Sequence, residues 1–82
     1  MDNEIREKIR NIFIKHFNLS TESFDFGKNR SEFENWDSLA HLQLVSDIED
    51  IFKINFEMDE ISEISKPEDL LVLVVKKENA QF

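Results

Sequence analysis

Residues 35–52 read NWDSLAHLQLVSDIEDIF, and this stretch decides the fold. Asp37 has the chemistry of a helix N-cap, because its carboxylate can accept from the free amides of a first turn and suits the positive end of the helix dipole. Beyond it Leu42, Val45, Ile48 and Phe52 recur at helical spacing, and Leu44 and Ile51 broaden the stripe. The pattern predicts a helix over about 37–52, buried over a wide arc as the central member of a bundle. Asp47, Glu49 and Asp50 fall on its outer side. Ser38 then stands exposed at the helix start, with Leu39 beside it as an apolar contact. A serine at such a place is most simply a cap. Asp37 already fills that role, so Ser38 reads as a free hydroxyl suited to covalent attachment, where the oriented amides of the first turn favour a phosphate ester.

Towards the N-terminus, Ile5, Ile9, Ile12, Phe13 and His16 share one helical face, while Glu4, Arg6, Glu7, Lys8, Arg10 and Lys15 occupy the other. This predicts a first helix over about 3–17, with Glu4 and Lys8 paired at i, i+4. From 19 to 36 the period fails, yet Phe24, Phe26, Phe33 and Trp36 are interleaved among the polar residues. A loop of that length belongs in a compact domain only if it is packed or functional. The aromatics point to a loop wrapped on the core.

Towards the C-terminus, Lys53 to Glu57 reads as a connection that turns Ile54 and Phe56 inward. A short helix over about 59–64 follows, with Asp59 as its cap and Ile61 and Ile64 on one face; it is too short to stand alone. Ser65-Lys66-Pro67-Glu68 has capping-box spacing, which opens a last helix over about 66–78 with Leu70, Leu71, Val74 and Val75 inward. Lys76 and Lys77 suit its negative end, and 79–82 are expected to fray.

Composition agrees with this layout. Eighty-two residues make one domain, and a single Gly and single Pro argue against a turn-rich β fold. The expected class is all-α: a small four-helix bundle of three longer helices and one short one, with a long loop between the first two. Net charge −8 disfavours nucleic acid and anionic membrane and favours partners with basic patches. Between Asp37 and Asp69 ten acidic residues face only Lys53 and Lys66, so the acidic surface begins at the serine. The lack of Cys excludes disulfides and thiolate chemistry. No apolar run approaches membrane-spanning length and the start Met1-Asp2-Asn3-Glu4 does not resemble a signal peptide, so a cytoplasmic monomer is expected.

Three rival chemistries need weighing. His41, three residues after Ser38, raises a serine nucleophile with its own base, but a hydrolase also needs an orienter, an oxyanion site and a cavity that a chain this small has little room for. The cluster Glu57, Asp59, Glu60 and Glu63 offers oxygen ligands without the glycine-containing calcium loop, so no metal site is expected. An acidic helical interaction module, with Ser38 as a plain cap, is the remaining alternative to attachment.

Asp37-Ser38-Leu39, followed by Leu42, Val45, Ile48, Glu49, Asp50 and Phe52, resembles the acyl carrier proteins, and the likeness runs through Phe56, Asp59, Ile61 and Ile64 to about residue 75. The resemblance implies 4'-phosphopantetheine esterified to Ser38 by a phosphopantetheinyl transferase that draws on coenzyme A. Cargo would ride as a thioester, loaded by a ligase or acyltransferase and used by synthase or transferase enzymes, and the chain itself would have no catalytic residue. It further implies a partner-facing surface made of Leu39, Leu42, Asp47, Glu49, Asp50, Glu57, Asp59 and Glu60. Ala40 and Gln43 stand where fatty-acid carriers typically carry acids, Ser46 stands where an apolar surface residue is usual, and Trp36 precedes the triplet. These departures resemble specialised carriers, including the aminoacyl and D-alanyl types of cell-envelope or nonribosomal pathways and the carriers of polyketide synthesis.

Overall fold

In a computed structural model, which describes residues 2–79, the chain folds as four α-helices: α1 (Asp2–Phe17), α2 (Ser38–Phe52), α3 (Met58–Glu63) and α4 (Pro67–Asn79). Among the described residues there is no strand, so the chain is all-α, a small four-helix bundle. Residues 80–82, for which fraying was expected, lie outside the described residues, while Asn79 is still helical. The radius of gyration is 11.9 Å, close to the ~12 Å of a folded chain this long.

The core differs from the pattern-based expectation in two respects. First, α1 rather than α2 is central, since α2 and α4 each pack on it. Ile9 and Phe13 are fully buried, with Ile5 and Ile12 partly covered at the stripe's edges. Second, the buried line of α2 is His41, Leu44, Val45, Ile48 and Phe52. Leu42 and Ile51, expected inward, are 55% and 50% exposed. At about 100° per residue they fall roughly 100° and 80° to either side of His41, so each sits at an edge of the arc. The expected Glu4–Lys8 pair gives way to Glu7–Arg10 at 3.8 Å, and the Lys8 ammonium instead lies over the Phe52 ring.

The long loop is packed. Phe33 and Trp36 are each 5% exposed, and Phe13 of α1 meets both rings and Phe24 at centroid distances of 5.3–6.0 Å. Phe33 and Trp36 stand edge to face at 5.0 Å and 87°. Such pairs contribute about 0.5–1.5 kcal/mol each beyond the area they bury, which lets a segment hold its place with only a 3-10 turn, Arg30–Glu32, inside it. Backbone bonds then tie the loop to the α3–α4 connection and to the first turn of α4: Arg30 N–H donates to Ser65 O at 2.6 Å, and Glu68 N–H to Phe26 O at 3.0 Å.

Helix ends show how the turns are made. Asn18 and Lys53 adopt left-handed φ of 55° and 58°, and the amides of Leu19 and Ile54 close back on Ile14 O and Glu49 O. That reversal after α2 delivers Ile54 and Phe56 to the core, at 5% and 8% exposure. Two expected caps are relocated. Glu57, not Asp59, is the N-cap of α3 and forms a capping box with Glu60. At α4 the carboxylate reaching back is Asp69, not Glu68: it accepts from the amides of Ser65 and Lys66 and from the Ser65 hydroxyl. Each is an acid of the same first turn whose reach fits the orphan amides better.

Candidate functional site

Ser38 is the first residue of α2, and it is exposed. Asp37, in extended conformation, accepts from Ala40 N–H at 2.9 Å through Oδ1, and its carbonyl accepts from His41 N–H at 2.9 Å. The cap is therefore built on Asp37, and the Ser38 hydroxyl takes no part in it. The amides of Ser38 and Leu39 are left at the positive end of the helix, where an anionic ester is favoured.

Large apolar side chains stand exposed after the serine on α2, Leu39 at 67% and Leu42, one turn on, at 55%; on α3 Met58 is 75% exposed. Side chains this large left in water are each a loss of roughly 25 cal/mol per Å² that docking would recover. Met58 went unread in the sequence because it lies in a run of acids, where its exposure depends on the exact start of α3.

His41 does not serve Ser38. Its ring is 6% exposed, Nδ1 accepts from the Trp36 indole N–H at 2.9 Å, and Nε2 lies 2.8 Å from Ile61 O. An indole nitrogen only donates, so the imidazole is neutral with its proton on Nε2, donating to the carbonyl. Burial, countered by the Ile61 bond and helped by nearby Arg30, holds its proton affinity below that of a free histidine. With both nitrogens engaged, no lone pair remains to take a proton from the serine. The histidine instead links three segments, the loop, α2 and α3.

The acidic residues read as partner-facing divide into two groups. Asp47, Asp50, Glu57 and Asp59 are exposed, although Asp47 stands 3.7 Å from His16 Nδ1 and Glu57 caps α3. Glu49 and Glu60 are half-buried and bound within the fold. Glu49 accepts from Phe56 N–H at 2.8 Å, while Glu60 accepts from Glu57 N–H at 2.8 Å and pairs with Lys77 at 2.9 Å. Those contacts, the Glu57 amide first and Lys77 second, draw the Glu60 carboxyl below the usual glutamate value. Among the described residues no three His, Asp or Glu side chains converge as a metal site. No helix among them is long and apolar enough to cross a membrane.

Beside Asp37 opens a groove of about 600 Å³, walled by Asn29, Arg30, Ser31, Phe33, Glu34, Trp36 and Ser65. Nothing in the local sequence announces it, because its walls come from the loop and the distant α3–α4 connection. No family model matches the chain, and no curated protein matches it significantly.

Proposed function

We propose that the chain is a carrier protein that bears 4'-phosphopantetheine on Ser38. The observation that carries this reading is the division of labour at the start of α2: Asp37 caps, Ser38 is exposed and free of the cap, and Leu39 offers an apolar contact beside it. In the loading step Ser38 Oγ attacks the diphosphate phosphorus of coenzyme A that bears the pantetheine. A phosphodiester forms, the bond to adenosine 3',5'-bisphosphate breaks, and the serine proton passes to a separate phosphopantetheinyl transferase. Acyl or aminoacyl groups are then held as thioesters on the terminal thiol by a loading ligase or acyltransferase.

The chain performs no chemistry of its own in this reading. It raises the effective concentration of cargo at each client enzyme, a synthase or transferase with a basic docking patch. Leu39, Leu42 and Met58 supply contact, and the exposed acids Asp47, Asp50 and Asp59 supply attraction. Ala40, Gln43, Ser46 and Trp36 favour a client set outside housekeeping fatty-acid synthesis, such as polyketide, nonribosomal or cell-envelope pathways, in the cytoplasm.

The test is to incubate the purified chain with coenzyme A and a broad-specificity phosphopantetheinyl transferase and weigh the product. The expected result is the mass of one phosphopantetheine added to the wild type and none added to Ser38→Ala. No gain in the wild type, or a gain that survives the substitution, overturns the reading and leaves an acidic interaction module with an ordinary helix-start serine.

A further inference from the structure

Arg30 is held in an unusual way for a surface arginine. Its amide is bonded to Ser65 O, its Nε donates to Trp36 O at 3.2 Å, and its guanidinium carbon lies 5.9 Å from the centre of the Trp36 ring. These contacts fix the plane of the guanidinium at the edge of the groove and leave its terminal amino groups as donors. Among the described residues no carboxylate forms an ion pair with it. Two carboxylates also line the groove: Asp37 accepts from Ala40 N–H, and the exposed Glu34 forms no ion pair with Arg30.

An arginine fixed in one orientation with free, parallel donors matches an oxyanion. A free anion in solution is a poor occupant, since a chain of net charge −8 repels it. An anion tethered to the chain escapes that penalty through its effective concentration. The carbonyl that holds Arg30 belongs to Trp36, two residues before Ser38. Resting on the carrier reading, we propose that the Arg30 guanidinium binds the phosphodiester oxyanion of the arm on Ser38 and lays the proximal arm along the groove floored by Trp36. Lys28 serves as the contrast within the same loop. Its ammonium lies over the Phe33 ring at 5.5 Å and lacks the backbone anchor that orients Arg30.

The experiment compares unmodified and phosphopantetheinylated protein by 15N-correlated NMR, following the Arg30 Nε–H and the indole N–H of Trp36, the only tryptophan in the chain. Loading is expected to shift both signals in the wild type and in Lys28→Gln, and to leave the indole unmoved in Arg30→Gln. Mass spectrometry verifies the arm in each variant, so failure of loading counts against Ser38 modification and not against the groove. Wild-type signals that stay in place on verified loading, or an indole shift that persists in Arg30→Gln, overturn the proposal. Inorganic phosphate added to the unmodified protein is expected to move neither signal; if it moves both equally, the site is a general anion site and the tethered assignment fails.

Discussion

The loop before α2 and the short helix α3 flank the same serine-bearing helix, and they are held by opposite means. The loop has almost no regular structure, yet Phe33 and Trp36 are buried against Phe13, and Phe26 and Arg30 in its middle are bonded to distant segments. α3 is regular, yet none of its residues is buried; it hangs on the Ile61 carbonyl, the Glu60–Lys77 pair and Ile64 just past its end. Regularity and anchoring are thus separate properties. The serine-bearing helix follows a firmly packed loop on one side and holds a lightly attached element through His41 on the other, from which local opening is expected first.

His41 joins the two regions, so replacing it is the strongest test of that contrast. His41→Leu strands the Trp36 indole N–H and the Ile61 carbonyl, at about 1–3 kcal/mol for each stranded group. Urea unfolding should show that loss, and hydrogen exchange should show protection falling in α3 far more than in α1; equal losses in both would erase the contrast. The same histidine gives a pH signature. Its folded affinity for a proton lies below the free value of 6.5, so the unfolded chain binds the proton more readily. Stability is complete above that pH and falls as pH drops below it, by up to ~1.4 kcal/mol per unit until the folded histidine also protonates. His41→Leu should lack this component.

Smaller effects refine the loop side. Asp37→Ala should cost about 1 kcal/mol through the lost cap, whereas Ser38→Ala should stay within about 0.5 kcal/mol, because the hydroxyl supports nothing in the fold. Equal costs in urea would return Ser38 to a capping role. The smallest effect belongs to α3. Lys77→Met removes the partly exposed pair with Glu60, worth about 0.2–1 kcal/mol and weakened by salt. Because the Glu60 carboxyl is held below its usual 4.5, that contribution is present above this pH and disappears as pH falls through the lowered value. Thermal melts of both proteins should converge in acid.

Much of this was legible in the residues. The all-α class, the Asp37 cap and the packing of Phe33 and Trp36 follow from local chemistry and periodicity. Where the structure departs from the sequence pattern, the deciding partner is far along the chain or the candidates are chemically alike. The burial of His41 depends on Trp36 and on Ile61, twenty residues away, and a polar residue on the buried line shifted the apparent stripe towards Leu42. Glu57 against Asp59, and Asp69 against Glu68, are choices between acids one or two positions apart, which backbone geometry settles and composition does not. The groove beside Arg30 needed the Ser65 backbone to close it.

The carboxylates of Glu49, Glu60 and Asp69 each spend acceptor capacity on amides of their own fold, while still counting towards the net charge of the sequence. Field and contact thereby part company. A cationic macromolecule that comes within about a Debye length, ~10 Å at moderate salt, responds to the net charge and is drawn in quickly. On arrival it finds fewer open acceptors than the composition promises, beside Leu39, Leu42 and Met58. Encounter speed is then a matter of ionic strength, and residence time a matter of shape.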